Sequence, residues 1–327
     1  RSSITTISAP VYDEETLLGV LHVAHAAARG EEDLDETHVD SMGLVAKLLG
    51  KIPEKIRTEE AAAEERYLRG ELLKATEMQE ELLQPITPDM WEGYTMSGEW
   101  LSGTLQGGGD GYFLHELPEG KKFFAHFDVS GHGAKCIPIQ VAMMAVLHER
   151  ARAGELDPDL KVLTESFNAS LQELIPNSYM FATAILGYIT PGESEGDEET
   201  EDTVSIYHAG HEPAMVIEKD GTVRKEIDLE KGGLPLVMDI PMSADAGVHS
   251  FPLRSGDTLV LTTDGTSEVQ NAHDEQLQSS GVAAFLRAYE GPKGEMAQAL
   301  HAYVAEYAKG SKQGVFDDTT TLTITKD

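Results

Sequence analysis

FFAHFDVSGHGAK, Phe123–Lys135, sets one aspartate directly behind an apolar run and in front of two glycines. The run up to Phe127 suits a strand in a sheet interior, and SGHG is a chain breaker. A carboxylate where a buried strand must end has two readings. Either Asp128 caps a turn, or it belongs to a site, and this stretch alone leaves both open.

Three further stretches repeat the arrangement. LQGGGDGYF places Asp110 beside three glycines and just before a strand. DTLVLTTDGTSE ends an apolar strand at Asp264, and GVFDDTTTLTI puts Asp317 and Asp318 ahead of another. Singly, each is also ordinary turn chemistry. If the strand ends converge, the charges crowd one place, and two of them ~4 Å apart at an effective dielectric of ~20 repel by about 4 kcal/mol. Their pKa values must then rise, or a cation must neutralise them. Oxygen-only ligands select hard cations such as Mg²⁺ or Mn²⁺. The nearest approach to a zinc set is HAGH (His208, His211), which Pro213 marks as a turn.

Outward from these stretches, residues 87–327 read as one α/β domain. Strands are predicted at Tyr94–Glu99, Tyr112–Leu117, Phe123–Asp128, Met180–Ile189, Val204–Ala209, Ala214–Glu218, Thr258–Thr262 and Thr320–Thr325. Helices are predicted at Ala134–Ala153, Leu160–Leu174, Gly281–Tyr289 and Glu295–Lys309. Helices arriving in pairs between antiparallel-looking strands predict packed sheets with helices outside. PGESEGDEETED, 191–202, reads as a solvated hairpin loop.

Residues 1–52 read as strand, strand, helix, the helix starting at Asp35 with Val39, Met42, Val45, Leu48, Leu49 and Ile52 on one face. Pro53 is expected to break it, and a second helix fills the linker 53–86. There Leu68, Leu72, Ala75, Gln79 and Leu82 alternate by four and three, the spacing of a two-helix seam, which Glu65, Gly70 and Gln79 weaken. The seam predicts a homodimer through Leu68, Leu72 and Leu82.

The whole chain sets bounds. It has 327 residues and a formal charge of -32, from 57 acidic against 25 basic side chains. Nucleic acid and anionic membrane surfaces are therefore poor partners. Most of the acid reads as a solvated surface. No apolar stretch is long enough to span a bilayer. The single Cys136 excludes an internal disulfide framework and suits a reducing cytoplasm. The first residues already read as a strand without an initiator Met, the expectation for a C-terminal part of a longer protein.

Two resemblances follow. ISAPVYDEETLLGVLHVAH…D…VDSMGLVAKLLG resembles the last third of a GAF sensory domain. The ordered set GGGD…DVSGHG…YMFATAILGYI…YHAGHEP…GGLPL…LRSGDTLVLTTDGTSEVQN…FDDTTTLTI closely resembles the SpoIIE/RsbU-type serine phosphatases of the metal-dependent PPM superfamily. That resemblance implies two packed β-sheets flanked by helices, an αββα sandwich, behind a partial GAF-like segment and a long linker helix. It implies two Mn²⁺ or Mg²⁺ ions held by Asp110, Asp128, the Val129 carbonyl, Asp264 and Asp317, with Asp128 bridging and Asp318 holding the turn. His132 would be a minor candidate proton donor. The implied activity is protein serine/threonine phosphatase, acting on a phosphorylated signalling protein such as an anti-sigma-factor antagonist under control of the N-terminal sensor. A catalytically weak phosphoprotein-binding scaffold is the alternative. Phe127 and His208 replace the usual Gly and Asn of GDVSGHG and NAGHP, and Gly111 and Phe113 alter GGDFYD. No arginine-ended loop follows Cys136, so it is not a phosphatase nucleophile.

Overall fold

The computed structural model describes all residues except 1–2, 14, 28–35, 102–107, 132, 177, 193–200, 226–232, 239–247 and 312–316. The chain divides into two compact units, Arg1–Glu71 and Leu72–Asp327.

In the first unit, β1 (Ser3–Asp13) and β2 (Thr16–Ala27) form an antiparallel hairpin with a register shift between Val11 and Tyr12. The helix α1 (Glu36–Leu82) lays Met42 and Ala46 on Ala9, with Val11 and Leu21 at the margin of this small core. Gly50 lets helix and hairpin close: a Cβ there would stand 1.9 Å from the Tyr12 carbonyl oxygen. One expectation is corrected here, because Pro53 does not break the helix. α1 is a single element of 47 residues through that position and past the unit boundary. A proline removes one rung and costs about 3 kcal/mol, which the Ala, Glu, Leu and Lys around it outweigh as helix formers. Leu68 and Leu82 are exposed on α1, and the Leu72 side chain lies outside the described ones.

The second unit contains the remaining elements. These are β3 (Tyr94–Leu101), β4 (Gly111–Glu116), β5 (Lys122–Val129), α2 (Ile137–Ala153), α3 (Leu160–Leu174), β6 (Ala182–Thr190), β7 (Asp202–Ala209), β8 (Met215–Ile217) and β9 (Val223–Lys225). They are followed by β10 (Val248–Leu253), β11 (Thr258–Thr262), α4 (Asp264–Ser267), α5 (Gln278–Ala288), α6 (Met296–Tyr307) and β12 (Thr319–Lys326). Two antiparallel five-stranded sheets result, in the orders β10-β7-β6-β5-β4 and β3-β12-β11-β8-β9. α2 and α3 cover the first sheet, while α5 and α6 cover the second. The layers run helix, sheet, sheet, helix, as expected. Edge strands β9 and β10 are additions to the expected set: β9 has three residues, and β10 carries Pro252, which only an edge or a bulge tolerates.

Alternation along β5 sets the direction of Asp128. Successive side chains point to opposite faces. Phe123 contacts Phe113, whose ring meets His148 of α2 edge-on at 4.9 Å, so Phe123, Ala125 and Phe127 face the helices. Phe124, His126 and Asp128 therefore face the second sheet. β12, buried along its whole length, lies between β3 and β11 in that sheet.

At the opposite end of the sandwich Asp202, the last residue of the acidic run assigned above to solvent, begins β7 and is buried. Its carboxylate accepts from the Tyr94 hydroxyl at 2.6 Å and the Gly192 N–H at 3.0 Å, and pairs with Lys326 Nζ at 2.6 Å. The loop reading is thus corrected at its last residue, which ties β7 of one sheet to β3 and β12 of the other.

Candidate metal centre

Asp110, Asp128, Asp264 and Asp317 come from four strand ends at one rim of the sandwich: before β4, in the last turn of β5, after β11 and before β12. Each of the first three carries a raised carboxyl. Burial, then Asp128 and Asp318, hold the Asp110 carboxyl well above the usual carboxylate range. Burial raises Asp128 to about 8, with Asp264, Asp317 and Asp318 adding to the rise and a hydrogen bond from Asp110 opposing it. Asp264 rises to about 6, through burial first and then Asp317, Glu268 and Glu212. Acidic neighbours add to the rise in all three.

Neighbouring residues fix each ligand. The Thr263 hydroxyl donates to Asp110 Oδ2 at 2.7 Å and accepts the Thr320 N–H at 2.9 Å, joining β11 and β12 to the approach of β4. Asp318 Oδ2 accepts the Gly109 N–H at 2.8 Å. Asp317 Oδ1 accepts the Asp318 N–H at 2.9 Å, so Asp317 makes the local turn bond while Asp318 reaches across to the glycine run. The glycines are required by close approach: a Cβ on Gly108 would stand 2.5 Å from the Asp318 carboxylate, and one on Gly109 would stand 2.6 Å from the Val129 carbonyl oxygen. Val129 thus turns its carbonyl toward the main chain that carries Asp110.

Gln79 interrupts the apolar seam of α1. It is a buried clamp on the same glycine run. Its Nε2 donates to the Gly108 carbonyl at 2.8 Å, and its Oε1 accepts the Gly108 N–H at 3.2 Å. No local pattern could have revealed this, because the partner lies 29 residues on.

Two departures from the expected motifs compensate each other. Gly111 and Phe127 are cross-strand partners, and a Cβ on Gly111 would stand 2.6 Å from the Phe127 ring. Large and small residues have exchanged places across one strand pair, which conserves volume. His208 is buried and kept neutral by burial. Nearby, His211 Nε2 lies 2.8 Å from His126 Nδ1, and its Nδ1 lies 2.7 Å from the Thr183 hydroxyl. Burial pushes Cys136 up to about 12, an inert thiol. His132 lies outside the described residues.

The donors suit a hard cation, being carboxylates and a carbonyl with no thiolate or imidazole among them. Among the described residues, no three acidic, histidine or cysteine side chains converge on one point as a formed ligand shell. The fit rests on the chemistry of the donors and on raised pKa values that a cation would relieve.

Paired antiparallel sheets flanked by helices are the architecture of PP2C-type domains. Among solved structures, the SiaA-PP2C domain of Pseudomonas aeruginosa superposes with a TM-score of 0.62 at 21% identity, over 81% of this chain and 100% of that one. The PP2C domain with a regulatory fragment of SpoIIE from Bacillus subtilis gives 0.56 at 19% identity, over 72% and 64%. The RsbU and RsbW domains of Rv1364c from Mycobacterium tuberculosis give 0.54 at 20%, over 74% and 61%. The chain thus spans less than two thirds of the latter two. Among curated proteins none matches the chain. The family profile described as Stage II sporulation protein E (SpoIIE) matches residues 118–327, more than half of the chain, and the chain belongs to that family. Asp110 lies just ahead of the matched stretch. Among the described residues no helix is long and apolar enough to cross a membrane.

Proposed function

We propose that this chain hydrolyses phosphoserine or phosphothreonine on a signalling protein, with two Mn²⁺ or Mg²⁺ ions held by Asp110, Asp128, Asp264, Asp317 and the Val129 carbonyl. The observation that carries this reading is the approach of four strand ends to one another: Thr263 donates to Asp110 at 2.7 Å, Asp318 accepts the Gly109 N–H at 2.8 Å, and Gly109 packs against the Val129 carbonyl next to Asp128. When bound, the ions supply the Lewis acidity of a two-metal hydrolysis. The protein holds the ligands in place: Thr263 orients Asp110, Asp318 fixes Gly109, and the first sheet carries Asp128 at the end of β5. The Gly111–Phe127 exchange keeps that strand pair packed, which favours an active enzyme over a weak scaffold. The test is phosphate release from a phosphoserine peptide with Mn²⁺, with and without chelator. Turnover that persists in chelator would overturn the metal assignment.

Control by the N-terminal unit is part of the proposal. That unit resembles the end of a GAF domain, and α1 leads from it to the Gln79 clamp on the glycine run. A dimer through Leu68, Leu72 and Leu82 would set the state of α1, and the substrate would be a small phosphoprotein of the anti-sigma-factor-antagonist kind. Replacing the three leucines with Glu is expected to abolish the dimer and shift the Mn²⁺ concentration for half activity. A variant still dimeric with wild-type Mn²⁺ dependence leaves α1 a spacer.

A further inference from the structure

Residues 174–192 contain no charged side chain, in a chain where 25% of residues are charged. Most of β6 explains its own share of this run, being buried. Burial does not explain Leu174, Tyr179 and Phe181, which are exposed, Tyr179 completely so.

The backbone beneath these rings is fixed. Ser130 donates its N–H to the Phe181 carbonyl at 2.8 Å, and its hydroxyl accepts the Phe181 N–H at 3.0 Å. The Ser178 hydroxyl accepts the Met180 N–H at 3.0 Å and donates to the Met180 carbonyl at 2.9 Å. Ala182, the next residue, pairs with Val129 in the β5–β6 ladder. Phe181, 37% exposed, is therefore held opposite Ser130, two residues past Asp128, and Tyr179 stands in water two residues before it. Rigid aromatic side chains that lose little freedom on contact are what binding hot spots are made of.

We propose that Tyr179 and Phe181 are the docking ground for the phosphoserine-bearing segment of the protein substrate, receiving an apolar side chain close to the phosphoserine. This rests on the phosphatase reading above. An extended peptide advances ~3.3 Å per residue, so a phosphoserine presented to Asp128 carries its near neighbours over Phe181 and Tyr179. Charge selects the same occupant. A phosphoserine brings close to two negative charges, and in a chain of formal charge -32 the exposed residues of this run add none to repel it. Glu212 and Glu268, which act on Asp264, disfavour further acid beside the phosphate.

The test uses two phosphoserine peptides, identical except for Leu or Asp two residues from the phosphoserine, and p-nitrophenyl phosphate as an ester without flanks. All are assayed with Mn²⁺ on the full chain. The wild type is expected to prefer the Leu peptide by ~10-fold or more in kcat/KM. Tyr179→Ala, at a fully exposed position, and Phe181→Leu bring that ratio toward one, while Val162→Ala, exposed on α3, keeps it. A wild-type ratio near one, or a ratio unmoved by Tyr179→Ala, overturns the docking ground. Failure of the phosphatase reading is a different result, in which the wild type hydrolyses none of the three esters, and the docking proposal falls with it.

Discussion

Asp202 and Asp128 sit at opposite ends of one sandwich, on two strands of the same sheet, in opposite company. Asp202 meets a lysine, a tyrosine hydroxyl and a backbone N–H. Asp128 meets Asp110, Asp264, Asp317 and Asp318. The first arrangement is complete without help from outside and joins the sheets. The second stores repulsion that an incoming cation relieves. Burial of a carboxylate is thus no guide to its purpose, whereas the sign of what surrounds it is.

Exchanging one carboxylate for its amide at each end tests this contrast most sharply. Asp128→Asn is expected to lower kcat with Mn²⁺ on the order of 10³-fold, with no loss in the urea midpoint measured in chelator, since a repelling charge has gone. Asp202→Asn should do the reverse. It leaves Lys326 and the Tyr94 hydroxyl buried beside a neutral group, at a cost of roughly 3–5 kcal/mol in unfolding free energy, with turnover of the folded fraction kept. Equal stability losses in the two variants would erase the distinction.

The pH dependence of stability separates the ends next. Burial, with its acidic neighbours, raises Asp128 from the ordinary 3.8 to about 8, so the fold binds more protons than the unfolded chain between those values. Its contribution to stability in chelator therefore falls as pH rises from about 4 to about 8. His126 and His301, lowered by burial to about 3 and about 4 from 6.5, act in the opposite sense, and their contribution is lost as pH falls below 6.5. Subtracting the Asp128→Asn curve from the wild-type curve cancels the histidines. The difference is expected to grow in the variant's favour from pH 4 to 8, and a flat difference would remove Asp128 from the repelling cluster.

The smallest effect concerns support. Gln79→Ala frees both polar groups of Gly108, and the Mn²⁺ concentration for half activity is expected to rise ~10-fold, as for loss of a group that orients a ligand. Activity titrations read this directly, and an unchanged Mn²⁺ requirement would make the clamp a packing feature.

The strand ends that carry the candidate ligands were legible in the sequence. The aspartates there stand beside glycines and threonines, a local pattern, and the strands showed in the runs between them. What escaped notice depends on distant partners. Asp202 closed an acidic run and read as solvated, because Tyr94 and Lys326 are more than a hundred residues away. Thr263 looked like strand chemistry, yet it is the link between Asp110 and Thr320. Phe127 and Gly111 each looked like a defect and are one exchange. Pro53 misled for the opposite reason, a strong local signal outweighed by the length of helix around it.

The position of β12 has a consequence in time. It is the strand between β3 and β11, and it pairs Lys326 with Tyr94 and Thr319 with Leu101. β3 therefore waits for a neighbour more than two hundred residues further along the chain, a closure whose entropy must be met before its contacts reward it. Asp317 and Asp318 immediately precede β12 and reach the rim only as that strand docks. On refolding, helical signal should return well before phosphatase activity, and the lag between them is the time the chain takes to seat one strand.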